Sequence, residues 1–232
     1  MKILVIALQK DGKPIAASFE VLTAAQSTGG ELLTAILAED ATAAASELAS
    51  RGGGSVLAVS HPSLKFVNEE VYAKVIGAII SKHKPDVILA PATFHGKSLL
   101  SRLAALQGGS MASDITALSV ENGQLVVTRP NYGGSVISKL SVNGGGPFFV
   151  SVRPKIFSES KSGNGSVASE TVDAACFISR TTVLEAKSDS GGSTNLAEAD
   201  VIVSAGRGIK GPENVPLIKE LADSLHAAFG AS

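Results

Sequence analysis

Residues 201–232 read VIVSAGRGIKGPENVPLIKELADSLHAAFGAS: an apolar, buried strand, then a glycine-rich turn, then a helix. Strand–turn–helix pieces of this kind open nucleotide-binding units in α/β folds, so this stretch sets the fold class to look for in the rest of the chain. Gly206-Arg207-Gly208-Ile209-Lys210-Gly211 fits G-x-G-x-x-G by letter. Such a turn brings backbone close to a phosphate, and a helix N-terminus offers unpaired N–H groups to it. The fit to a dinucleotide fingerprint is incomplete. Pro212 and Pro216 delay the helix, and the second strand, with its ribose-binding acid about 20 residues on, is not expected before Ser232. Arg207 says more than the glycines. A guanidinium at a strand's C-terminal end can fork onto a phosphate or another planar anion. Spacing alone leaves a solvated loop arginine equally open.

Working upstream, short apolar runs alternate with Ala-rich segments. Strands are expected at Ile3–Leu8, Glu31–Leu37, Ser55–Ser60 and Asp86–Ala90, and helices at Phe19–Gln26, Thr42–Arg51, Asn68–Lys82 and Ser98–Gly108. Continuous apolar strands are buried on both faces, and their alternation with helices implies right-handed crossovers and a parallel sheet. Asn68 precedes a helix with Glu69 and Glu70 in its first turn, where carboxylates favour the dipole. Pro85 bars the residue before it from helical angles and so ends that helix. From about Ala117 the texture changes to strand-like runs separated by Gly and Asn. Asn122-Gly123 is a hairpin signal between Leu118–Val120 and Leu125–Thr128. SESKSGNGSVASE, residues 158–170, reads as a linker or exposed loop, and the polar stretch KSDSGGSTN, residues 187–195, marks a domain boundary.

The totals bound the class. The chain has 232 residues, 44% hydrophobic and 18% charged, enough to bury a sizeable core. Aromatics are 4% and tryptophan is absent, so that core rests on Val, Ile, Leu and Ala. A net charge of -1 argues against a general nucleic-acid binder or a basic membrane patch. The single cysteine, Cys176, allows no intrachain disulfide and points to a reducing cytoplasm. No run approaches the roughly 18 apolar residues of a membrane span, and MKILVIAL reads as a first core strand rather than a signal peptide.

The terminal run resembles the alpha subunit family of electron transfer flavoprotein. Its S-G-G-R-G-like turn appears here as SAGRG, with Ala205 in place of glycine at the second residue of the turn. G-x-E-N follows at Gly211, Glu213 and Asn214, and then LADSLHAAFGAS. PDVILAPATFHGKSLLSRLAA, Ser113-Asp114-Ile115 and RPNYGGSVISKL resemble the family's middle segments, so the likeness covers nearly the whole chain. The family pattern continues past G-A-S with segments that hold most of FAD, which implies a truncation at Ser232. The resemblance implies that Arg207 contacts FAD, that Gly206 and Gly208 line its site, and that Ser232 precedes a flavin-contacting arginine. It also implies an electron carrier rather than an enzyme, paired with a beta subunit that holds AMP. Electrons would come from flavin dehydrogenases of the acyl-CoA dehydrogenase type, in fatty acid β-oxidation, and pass to a quinone oxidoreductase or another acceptor. This chain alone would hold FAD weakly or not at all.

The expected architecture is therefore α/β. Residues 1–190 form a mostly parallel sheet flanked by helices, adenine nucleotide alpha-hydrolase-like, and residues 195–232 are the first strand and helix of an incomplete FAD-binding α/β domain. A rival reading takes the first domain as an adenine-nucleotide-binding or hydrolase-like module, with APATFHGKS at a strand's C-terminal end as its site. His95 has no identifiable acid partner or nucleophile and reads as structural or interfacial. Lys97 and Arg102 read as solvated or subunit-facing, His61 as a loop residue, and His226 as a helix residue packed or functional. Asp114 would contact a partner or cap an element, Tyr132 would pack at a subunit interface, and Arg129 and Arg153 fit ordinary turn chemistry. The four histidines are too scattered for a metal site.

Overall fold

The computed structural model describes residues 1–142, 145–185, 196 and 199–231. The chain divides into two compact units, Met1–Val183 and Leu184–Ser232. The expected boundary stretch, residues 187–195, lies outside the described residues.

The first unit is built on a sheet of seven strands, in the order β12-β5-β4-β1-β6-β11-β7, with every pairing parallel. The strands are β1 (Lys2–Ala7), β4 (Glu31–Ala38), β5 (Ser55–Ser60), β6 (Val87–Pro91), β7 (Ser110–Ile115), β11 (Phe148–Val152) and β12 (Ser166–Ser169). A short β2–β3 hairpin (Gln9–Lys10, Lys13–Pro14) follows β1. The crossovers carry α1 (Ala16–Gln26), α2 (Thr42–Ser50), α3 (Glu69–His83) and α4 (Phe94–Gln107). Alternation within β1 shows how the three layers form. Ile3, Val5 and Ala7 face the cluster holding Phe19, Leu22 and Leu48 of α1 and α2. Leu4, Ile6 and Leu8 face Val75, Ile76, Ile79, Leu99 and Leu103 of α3 and α4. Branched aliphatics on both faces are what a fully covered parallel sheet needs.

Beyond β7 the chain forms an antiparallel meander, β8 (Ala117–Glu121), β9 (Gln124–Asn131) and β10 (Val136–Ser141). Asn122 (φ 51) and Gly123 (φ 78) both turn left-handed, as the two-residue hairpin requires. Leu125 and Val127 bury its inner face in the core.

One expectation fails here. Residues 158–170 are not a loop throughout: Ser166–Ser169 pair in parallel with Ser55–Ala58 as edge strand β12. Gly163 bridges Arg51, and a Cβ at Gly163 would press on the Gly52 backbone. The glycines that read as low complexity permit this close approach. Glu170 then buries its carboxylate against Lys82 and His83 of α3.

The last stretch of the first unit is tied across the start of α3. Asn68 caps the helix through Oδ1, which accepts from the Glu70 and Val71 N–H groups at 3.0 and 3.3 Å. Its Nδ2 donates to Ser179 Oγ and Thr181 O, both at 3.2 Å. Lys74 Nζ donates to Ile178 O at 2.6 Å. Glu70 accepts from the Arg180 N–H and Ser179 Oγ at 3.1 Å each. The Arg180 N–H, with Ser179, the Arg180 guanidinium and Lys74, lowers the Glu70 carboxyl to about 2 from an ordinary 4.5. A depressed carboxylate stabilises the fold fully above its unfolded pKa, and the contribution is lost as pH falls through the folded one. The protection of the Ser179–Thr181 amides, taken relative to their intrinsic exchange rates at each pH, should therefore fall between about pH 4.5 and pH 2. In Glu70→Gln that protection should already be reduced at neutral pH. Exchange unchanged by the substitution would show that the segment is held by other contacts.

The second unit contains β13 (Ile202–Ala205), α5 (Val215–Ser224) and β14 (Ala228–Ala231). The two strands pair in parallel, Ile202 with Ala228 through Ala205 with Ala231. Two expectations are corrected here. The second strand is present: AFGA forms β14 where the Ala-rich sequence reads as helix, because pairing with β13 overrides local propensity. The first strand is not buried. Ile202 is 47% exposed and only Ala205 is buried, since a two-stranded sheet cannot cover both of its faces.

Candidate functional site at the glycine turn

The C-terminal ends of β13 and β14 border a cleft of about 370 Å³, lined by Leu196, Ile202, Ser204, Ala205, Gly206, Gly230 and Ala231. This is the end of a parallel sheet at which ligands seat in open α/β folds. Its walls are small because its sequence is: a Cβ on Gly230 would meet the Leu196 side chain at 3.2 Å.

Gly206 leaves β13 in an extended conformation (φ −122, ψ −164), and Arg207–Ile209 form one 3-10 turn. The tightness expected of the glycines falls instead on Lys210. Its φ of 66 and ψ of −41 close a γ-turn in which the Gly211 N–H donates to Ile209 O at 2.8 Å. Gly208 is not needed for the turn, since a Cβ there would meet nothing within 4 Å. That open space is where a second fingerprint glycine admits a phosphate to the backbone. Arg207 is exposed, and its guanidinium has no hydrogen-bond or ion-pair partner among the described residues.

A second 3-10 turn, Pro212–Asn214, precedes α5, so the prolines do delay the helix, to Val215. Asn214 Nδ2 donates to Ile209 O at 2.8 Å and braces the turn. Ser232 lies outside the described residues. His226 is not in the helix. It sits past the end of α5 with φ 50, exposed, and its N–H donates to Asp223 O at 3.1 Å.

The other candidates are in the first unit. His95 is half-exposed with Nδ1 3.6 Å from Glu69, whose other oxygen accepts from Ser98 Oγ at 2.7 Å. That geometry offers no nucleophile–base pair. His61 stacks on Phe177 with centroids 3.7 Å apart, and its Nδ1 accepts from the Ser63 N–H, a structural role. Asp114 and Arg153 form a forked ion pair with N–O distances of 2.6 and 3.2 Å, which spacing did not reveal because the two are brought together by β7 and β11. Tyr132 is 85% exposed. No helix among the described residues is long and apolar enough to cross a membrane.

Comparison with known proteins assigns both units. Residues 3–176 match the electron transfer flavoprotein domain, and residues 195–232 match the electron transfer flavoprotein FAD-binding domain. The chain is 33% identical to the electron transfer flavoprotein subunit alpha of Thermoanaerobacterium thermosaccharolyticum, over 99% of this chain and 72% of that protein. It is 31% identical to the Bacillus subtilis subunit alpha, over 100% of this chain and 72% of that protein. A third relative is the lactate dehydrogenase (NAD(+),ferredoxin) subunit LctC of Acetobacterium woodii, 32% identical over 88% of this chain and 50% of that protein. These relatives favour the electron-carrier expectation over the nucleotide-hydrolase one.

Proposed function

The chain belongs to the electron transfer flavoprotein alpha-subunit family, an electron-transfer rather than an enzyme family, and from that premise we propose that it is the flavin-holding subunit of a two-subunit electron carrier. The observation that carries this reading is Arg207: an exposed guanidinium, without a partner among the described residues, in the turn that leaves β13, beside a cleft at the ends of two parallel strands.

FAD supplies the redox chemistry when bound, and the protein binds and orients it. Arg207 would fork onto its phosphates, Gly206 and Gly208 would let the backbone approach, and Gly230 and Ala231 would form the facing wall. Ser232 is a cofactor-binding candidate by the family resemblance alone. The residues present fit the phosphate portion of the cofactor. A cleft of about 370 Å³ lies at the low end of pockets that bury a drug-sized ligand, and FAD is larger than such a ligand, so this chain alone would hold FAD weakly. A beta subunit would supply further enclosure and form the heterodimer, with the exposed Tyr132 at the contact. Flavin dehydrogenases of the acyl-CoA dehydrogenase type would be the donors, in fatty acid β-oxidation, and a quinone oxidoreductase or other acceptor would receive the electrons. The single free cysteine, Cys176, supports a reducing cytoplasm.

The test is to mix the chain with a beta subunit of the same family and FAD, then separate by size. Flavin absorbance should co-elute with both polypeptides. A stable two-polypeptide peak that leaves all FAD free would refute the flavin-holding role, and separate elution of the two polypeptides would refute the pairing.

A further inference from the structure

The first unit carries a cationic cluster that the flavin reading does not use. It lies where the C-terminal ends of β6, β11 and β7 meet. The Ala92 N–H donates to Val152 O at 2.7 Å and the Arg153 N–H to Ile115 O at 3.0 Å, so the three strand ends are bonded side by side. The 14-residue helix α4 starts from the same edge, capped by Thr93 Oγ1, which accepts from the Gly96 N–H at 3.1 Å. Its first turn brings Lys97 and the positive end of the helix dipole there.

Asp114 is the carboxylate that faces these cations; Glu69 also meets the first turn of α4, where it is taken up by His95 and Ser98. Asp114 is pinned with left-handed backbone (φ 63), its N–H donating to Ser151 Oγ at 2.8 Å. Its two oxygens take the Arg153 fork. Arg153 first, then Lys97 and Arg129, hold its carboxyl below the usual range. The Thr116 N–H donates to Thr128 O at 2.8 Å, which joins β9 next to Arg129 to the end of β7, so Asp114 faces Arg129 and Lys97 as well as Arg153. Neither Lys97 nor Arg129 has an ion pair among the described residues.

A surplus surface lysine is ordinarily just solvated. Arg129 is different. It stands two residues from buried Val127 on the core-facing side of β9, opposite Ser138. Its Nε is buried and has no hydrogen-bond partner among the described residues. A buried donor without an acceptor is costly, and in a native protein it calls for an ion or a water. A guanidinium pair with an ammonium at a helix start is a donor set suited to a tetrahedral oxyanion.

We propose that Arg129, Arg153 and Lys97 form an oxyanion seat at the end of β6, β11 and β7, taking a phosphate or the phosphoryl group of a phosphomonoester. Asp114 is a positioning residue that locks the Arg153 fork and leaves the remaining donors of the cluster to the ligand. The seat is built from residues of the first unit, whereas the glycine turn is built from residues of the second.

Titration calorimetry on the full chain tests this with inorganic phosphate and with glycerol 3-phosphate, against chloride at matched ionic strength. One or both should bind, and the tighter of the two identifies the source of the phosphoryl group. Lys97→Gln, at an exposed position, and Arg129→Gln should each weaken binding about tenfold or more, the loss expected for one charge-assisted contact. Arg207→Gln should leave it unchanged. Binding no tighter than chloride overturns the proposal. So does binding that survives Lys97→Gln, a variant that keeps the fold even if Arg129→Gln does not. Loss on Arg207→Gln would move the anion to the glycine turn and overturn it equally.

Discussion

Gly54→Ala is expected to lower the thermal midpoint of the first unit by roughly 6–12 °C, corresponding to about 3 kcal/mol. Gly54 joins α2 to β5 with φ +66, a conformation that costs alanine about 1 kcal/mol. The larger share comes from crowding. A Cβ there would fall well inside contact distance of the Leu32 carbonyl, which belongs to β4 near the middle of the sheet. Backbone in that position cannot yield without displacing the parallel register on both sides. Gly29 separates the two causes, since it has φ +67 with nothing within 4 Å. Gly29→Ala should show the strain alone, a shift of roughly 2–4 °C. Equal shifts for the two variants would show that crowding at Gly54 is relieved by movement of β4 and that the sheet is softer than its packing implies.

Arg207→Gln should weaken FAD binding by the two-subunit complex about tenfold to a hundredfold, the range for losing hydrogen bonds from a charged donor. The side chain is exposed and has no partner among the described residues, so its removal leaves none of their buried groups unsatisfied and stability should hold. Arg207→Lys keeps the charge and loses the planar fork, and is expected to fall between the two. Fluorescence of released flavin measures all three. Equal affinities would mean that the guanidinium is a solvated loop arginine, the alternative that spacing alone left open.

The parallel sheet was legible because its signal is redundant. Ile3–Leu8 and Ser55–Ser60 are apolar at nearly every position, and only strands covered on both faces need that. The Asn122-Gly123 hairpin was legible for a different reason: the turn demands two left-handed residues, and few pairs supply them. What misled was small-residue sequence. SVAS and AFGA carry little propensity of their own, and each becomes a strand through pairing with a distant segment, β5 in one case and β13 in the other. The candidate site was legible in type more than in geometry. Its letters placed the turn and Arg207, but the residue that takes the strained backbone is Lys210, which no glycine pattern singles out. The Asp114–Arg153 fork and the orphaned Arg129 Nε depend on strand order, so spacing along the chain could not disclose them.

The central claim is that the turn after β13 and the end of β14 together grip a flavin nucleotide. Amide hydrogen exchange of the two-subunit complex with and without FAD addresses it directly. The account predicts slowed exchange at Ser204–Gly211 and at Gly230–Ala231, with β1 and β4 unaffected. Exchange in those two segments indifferent to FAD, with protection appearing elsewhere in the chain, would contradict it.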